Sequence, residues 1–251
     1  KQDVTLKAKI PYVFNSKIST AFSFNLYRND STFTNTNASI LLSYPINRFT
    51  DFSFLLTSES STVNSVATNI SNYDKKMLGI GVQYNSLKSS EFSFDTSISY
   101  GTRNTHLKTN QYLIHLTTSG LIKTSNRTAI YIRSKNGLLF SDSYLENELF
   151  REGGANSIRG FNEQSIFTSK FSYLNSELRF ISENRSYLYS IHDVGIFSLN
   201  NKNNILYSIG VGYNYIKNNN SIDVSYIYGS SNQAVSSLKS SFISVKLLTL
   251  F

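Results

Sequence analysis

The sequence predicts an all-β protein, a transmembrane antiparallel β-barrel with about thirteen strands in the 251 residues. Three observations predict it. Hydropathy alternates with period two along almost the whole chain, the signature of strands with one apolar and one polar face. The alternating runs are about ten to twelve residues long. A tilted strand needs ~9–11 residues to cross a bilayer, whereas strands of soluble sandwiches run nearer ~5–6. The connections also alternate between short and long, as the two ends of a membrane barrel do.

The elements follow in order. Val4, Leu6, Ala8, Ile10 and Tyr12 share one face, opposite Thr5, Lys7 and Lys9. Ile18, Thr20, Phe22, Phe24 and Leu26 form the next face, then Ala38, Ile40, Leu42 and Tyr44, then Phe52, Phe54 and Leu56. Leu78, Ile80, Val82 and Tyr84 oppose Gly79, Gly81 and Gln83. Phe92, Phe94, Ile98 and Tyr100 follow, then Tyr112, Ile114 and Leu116, then Ile130 and Ile132 opposite Tyr131 and Arg133. Beyond a long gap, Leu174, Leu178 and Phe180 oppose Asn175, Glu177 and Arg179, and 187–197 is rich in Tyr and Ile. Ile205 to Tyr215, Ile222 to Tyr228 and Ile243 to Leu247 complete the series. Tight links are expected at 14–17, 45–49, 85–90, 123–127, 182–185 and 217–220. Longer ones are expected at 28–33, 58–75, 101–110, 141–169, 198–204 and 230–239.

Composition narrows the chemistry. The chain has no Cys, which excludes disulfides and thiolate metal sites. Charged residues make up 16%, below the usual quarter, while Tyr and Phe number 17 and 18. Aromatics near strand ends suit interfacial girdles. No apolar run approaches the ~20 residues of a transmembrane helix. The net charge of +8 is scattered rather than clustered, so no nucleic-acid partner is expected. His106, His115 and His192 lack metal-ligand spacing, and no GxSxG elbow occurs, so neither a metal, a cofactor nor an enzymatic activity is expected. His192 adjoins Asp193, but alternation places it on the opposite face.

Loop alternation also gives direction. If the last strand follows a long external loop, counting back makes the first strand run inward as well. Single-chain barrels normally carry an even strand number. The expectation is therefore a barrel domain over 1–251 that lacks its first strands and any N-terminal periplasmic domains.

One stretch stands apart. Residues 153–164 read GGANSIRGFNEQ, an arginine among glycines inside the longest connection. Gly153, Gly154 and Gly160 permit backbone that other residues resist. The segment Ile158-Arg159-Gly160-Phe161 resembles the loop-six signature of the superfamily of BamA, TamA and two-partner-secretion transporters, outer-membrane β-barrels of Gram-negative bacteria. The following NSELRF and IHDVGIF resemble that superfamily's next two strands. The resemblance implies sixteen strands, with external loop six folded into the lumen. It implies Glu177 and Asp193 as partners of Arg159, with Gly195 completing an Asp-x-Gly motif. Arginine's planar fork can bridge two carboxylates.

The last strand, SFISVKLLTLF, resembles the C-terminal signal of outer-membrane barrels, carried by Val245, Leu247 and Phe251. It has no glycine from 239 to 251, so the kink that some insertases carry there is not expected. By the same resemblance the partners are outer-membrane lipids, unfolded or secreted polypeptides and accessory lipoproteins, and the function is outer-membrane protein assembly or polypeptide translocation. A passive pore, or a barrel anchoring a separate N-terminal domain, are the alternatives.

Overall fold

The computed structural model describes residues 2–29, 32–65, 69–86, 91–182, 186–200, 202–217, 219–232 and 240–249. The chain is built almost wholly of strands: β1 (Gln2–Ile10), β2 (Ser19–Asn29), β3 (Phe33–Pro45), β4 (Thr50–Val63), β5 (Tyr73–Asn85), β6 (Glu91–Asn104), β7 (Lys108–Lys123) and β8 (Thr128–Ser141) come first. Two short strands, β9 (Phe150–Glu152) and β10 (Ile166–Thr168), interrupt the longest connection. Then come β11 (Lys170–Ile181), β12 (Tyr187–Leu199), β13 (Lys202–Lys217), β14 (Asn220–Ser231) and β15 (Ser240–Thr249). All but β9 and β10 are hydrogen-bonded in chain order into one sheet of thirteen strands, with β1 and β15 at its two ends; β9 and β10 form a separate antiparallel pair. The strand number is the one the sequence predicts.

The chain divides into two compact units. The first comprises 1–85, 94–116 and 137–149; the second comprises 86–93, 117–136 and 150–251. In the first, β1 to β5 form an unbroken antiparallel ladder. In the second, β11 to β15 form another.

Burial in the second unit is inverted relative to a water-soluble protein. Leu188, Val194, Ile196, Ile209 and Val211 are exposed, while Asn175, Asp193 and Ser208 on the opposite face are buried. The same alternation marks β5, where Leu78 and Ile80 are exposed and Lys75 is buried. Side chains along a strand point alternately to the two faces. A soluble sheet would turn such an apolar face inward, because a contiguous apolar surface costs free energy in water. This apolar face suits hydrocarbon.

The expected alternation of short and long connections holds only in part. Residues 64–72, 142–169 and 232–239 separate strands by long stretches, but β2 and β3 are separated by 30–32 alone, β6 and β7 by 105–107, and β12 and β13 by 200–201. The ladders simply continue past the apolar residues. Lys202, Asn203 and Asn204 pair with Leu199, Ser198 and Phe197. Backbone hydrogen bonds do not require apolar side chains, so hydropathy ends before the strand does.

Candidate functional site

The second unit turns a row of four registered residues toward its buried face. Asn175 on β11 lies opposite Asp193 on β12, Asp193 opposite Ser208 on β13, and Ser208 opposite Gly229 on β14. The segment after β9 lies upon this row. Its path is set by its own hydrogen bonds: the Gly154 N–H donates to the Ile158 carbonyl at 3.1 Å, and the Ser157 N–H to the Gly154 carbonyl at 3.1 Å. Gly153 and Gly154 both sit at φ 101°, a left-handed conformation strained for residues with a Cβ. The Glu163 carboxylate folds back to accept the Ala155 N–H at 3.0 Å.

At the tip, Arg159 meets both acids. Its Nε donates to Asp193 Oδ2 at 2.8 Å and its Nη2 to Asp193 Oδ1 at 2.6 Å, a side-on fork. Its Nη1 reaches Glu177 Oε1 at 2.5 Å, and its backbone N–H donates to Asp193 Oδ2 at 3.1 Å. The side chains are 11% exposed for Arg159, 9% for Glu177 and 0% for Asp193. Burial disfavours the guanidinium charge, but the hydrogen bond and charge of Asp193, then those of Glu177, outweigh it and raise the pKa of Arg159 above its ordinary value.

The flanking residues seat the tip. Ile158 and Phe161 are buried with Phe171, Tyr173, Phe197 and Leu206 in one apolar cluster. Gly160 has φ 80° and lies against the backbone of Gly229; a Cβ at Gly229 would fall 2.1 Å from the Gly160 carbonyl oxygen. Gly195 lies two residues beyond Asp193 on β12. A Cβ there would meet Tyr173 at 2.7 Å, so its bare backbone admits the stack of Tyr173 and Phe197. Val245 and Leu247 lie on the exposed face of β15, and Phe251 lies outside the described residues. His192 is exposed, on the face opposite Asp193.

Several contributors are not visible in the motif. Glu177 is held from its other side by Arg179, whose Nη2 lies 2.7 Å from Oε2. Arg179 is itself packed against the rings of Tyr131 and Tyr187, 4.3 and 4.6 Å from their centroids. Arg133 donates to Asn175 Oδ1 at 2.8 Å and to the Asn156 carbonyl at 2.9 Å, and Asn175 donates to the Ser157 carbonyl at 3.0 Å. Lys246 on β15 reaches Asn156 Oδ1 at 2.7 Å. Glu152 accepts from Ser157 and pairs with Lys135 at 3.2 Å. Arg133 and Arg179 could be read from the sequence as inward charges, but which loop atom each meets could not.

The beginning of the same connection is fixed separately within the first unit. Glu148 pairs with Arg103 and accepts from Gln111 Nε2 at 2.8 Å; the two charged side chains are 3% and 0% exposed for Arg103 and Glu148. Asn147 donates to Ser61 at 2.7 Å and to the Ser71 carbonyl at 2.9 Å, and its own carbonyl accepts from Asn35 at 2.5 Å. Sequence reading missed this anchor. Its only signal was three polar residues, Glu146, Asn147 and Glu148, between Leu145 and Leu149.

Among the described residues no group of His, Cys, Asp and Glu is arranged to hold a metal. The arrangement can hold a loop against a polar wall.

No family model and no curated protein sequence matches the chain. Solved structures do. BamA from Haemophilus ducreyi lacking POTRA domains 1–3 superposes with a TM-score of 0.77 at 14% identity, covering 99% of this chain and 62% of that one. CdiB from Acinetobacter baumannii gives a TM-score of 0.68 at 15% identity, covering 98% of this chain and 50% of that one. CdiB from Escherichia coli gives 0.59 at 10% identity, covering 99% and 59%. The chain thus spans about half to three fifths of their length. In fold, this chain is similar to the BamA and CdiB barrels, members of the superfamily that its Arg159 segment resembles.

Proposed function

We propose that this chain is the barrel part of an outer-membrane protein that inserts or translocates other polypeptides, with segment 153–165 as its internal strut. The observation that carries this reading is the Arg159 fork on Asp193 and Glu177, buried on a sheet whose other face is apolar and exposed. In the reading, the strands close with others into a sixteen-stranded barrel in the outer membrane of a Gram-negative bacterium. The apolar face meets lipid and the polar face lines a lumen. Closure follows from physics: an unpaired strand edge in hydrocarbon leaves backbone groups without partners.

The strut has a mechanical consequence. A barrel that handles polypeptides must change pairing or admit a chain without collapsing. A buried ion pair resists displacement, because removing one partner leaves the other charge unpaired in a dehydrated place. Substrate strands would pair with a sheet edge by β-augmentation. Unfolded or secreted polypeptides, and accessory lipoproteins, are the partners in this reading, and no cofactor takes part.

The test compares wild type with Arg159→Ala in a semi-native gel and in a secretion or growth assay. Loss of heat-modifiable migration together with loss of secretion or growth is the expected result. A wide, steady ion conductance that is the same in wild type and Arg159→Ala would favour a passive pore instead, and wild-type migration and secretion in Arg159→Ala would count against the strut.

A further inference from the structure

The exposed face of the first unit carries a groove of about 910 Å³ that runs across β1 to β6. Two neighbouring register rows form it. One passes through Leu6, Phe24, Ala38, Ser58 and Lys76. The other passes through Ala8, Phe22, Ile40, Leu56 and Leu78. Tyr100 and Thr102 on β6 complete it. The small side chains of Ala8, Ala38 and Ser58 leave the space, and the rings of Phe22, Phe24 and Tyr100 wall it.

The groove is graded. The first row begins with Leu6 and Phe24 and ends with Ser58 and Lys76, while the second stays apolar to Leu78. Lys76 is the fourth residue of β5, close to the connection 64–72, and the side chains toward the other end of that strand's exposed face, Leu78 and Ile80, are apolar. Lys76 is exposed and has no ion pair within 4 Å among the described residues. The nearest like-facing acid on its strand is Asp74, also exposed. A cation at the end of an apolar channel, level with the edge of an apolar band, matches one kind of occupant: a chain of hydrocarbon that ends in a negative headgroup.

We propose that this groove is a docking site for an anionic, phosphate-bearing lipid, its acyl chain along Phe22, Phe24 and Leu56 and its phosphate against Lys76. The site rests on the reading of the chain as a membrane barrel, and it adds a selectivity that an ordinary lipid-facing surface lacks. A lysine near a membrane surface favours an anionic headgroup by roughly fivefold.

The experiment is native mass spectrometry of the full-length protein that contains this chain, purified in detergent with equal amounts of phosphatidylglycerol and phosphatidylcholine of identical chains. Wild type is expected to retain phosphatidylglycerol over phosphatidylcholine by about fivefold. Lys76→Gln should remove the preference, and Asp74→Asn should increase it by lifting a competing charge. Ala38→Phe, which fills the groove, should lower retention of both lipids. Equal retention of the two lipids by wild type, or an unchanged preference in Lys76→Gln, overturns the site. Heat-modifiable migration of the same samples reports the barrel separately. A heat-modifiable wild type without lipid preference overturns the groove alone, whereas a wild type that stays water-soluble without detergent overturns both.

Discussion

Arg159 is worth more in place than its charge alone suggests, because three of its nitrogens and its backbone N–H are all directed at two buried acids. Replacing it with Ala leaves Asp193, whose side chain is fully buried, without its cation. The expected cost is about 3–5 kcal/mol, read as a lowered urea midpoint for loss of heat-modifiable migration. Arg159→Lys should recover only part of that, since an ammonium cannot fork onto both Asp193 oxygens and still reach Glu177. A second prediction concerns the backbone. Gly229→Val places methyl groups where the Gly160 carbonyl now lies, so the tip must lift. The expected result is a variant that keeps its strands by circular dichroism but gains protease cleavage between 153 and 165, with wild-type resistance as the outcome that counts against close packing there.

At the scale of elements, the long connection is two structures rather than one loop. Its first part is tied by Glu148 and Asn147 within the first unit, and its second by β9, β10 and the Arg159 tip within the second. Glu148→Gln removes the carboxylate that Arg103 needs and leaves a buried guanidinium unpaired. We expect a loss of about 3–5 kcal/mol and new proteolysis at 142–149. Unchanged cleavage in a time course would show that Arg103 finds another partner. Arg179 is a positioning residue of the same kind: it holds the second oxygen of Glu177 and leaves the first for Arg159. Arg179→Met keeps contact with Tyr131 and Tyr187 but drops the charge. Its stability cost should shrink in a Glu177→Gln background, a coupling that a double-mutant cycle measures directly.

For the whole molecule, the inverted alternation makes the two faces respond in opposite ways. Val211→Arg puts a cation on the apolar face and is expected to cost about 2–4 kcal/mol at mid-membrane depth, seen as reduced folding into vesicles. Ser225→Asn, on the buried polar face beside it in register with Gly212, should fold into vesicles with nearly wild-type yield. Equal behaviour of the two variants would mean that the exposed face does not meet lipid.

Which residues face together was written in the local pattern of the chain. A period of two is a local property of extended backbone, and it survives whatever the strands pack against. That is why the strand number of the sheet, the polar face shared by Asn175, Glu177 and Arg179, and the opposite placement of His192 could be read directly. The Arg159 segment was legible for a different reason: glycines around a lone arginine are rare in a chain with so little glycine elsewhere in its loops. Strand ends were not legible at 101–110 and 198–204, because ladder hydrogen bonds continue through Asn, Thr and Lys without an apolar signal. What the buried face touches depends on how the chain folds back on itself. The Arg103–Glu148 pair joins residues 45 apart, and Gly229 meets Gly160 across some seventy positions. Neither the charge of Glu148 nor the missing side chain of Gly229 specifies a partner; register and the fold of the connection bring each pair together, and those are long-range quantities that no local pattern encodes.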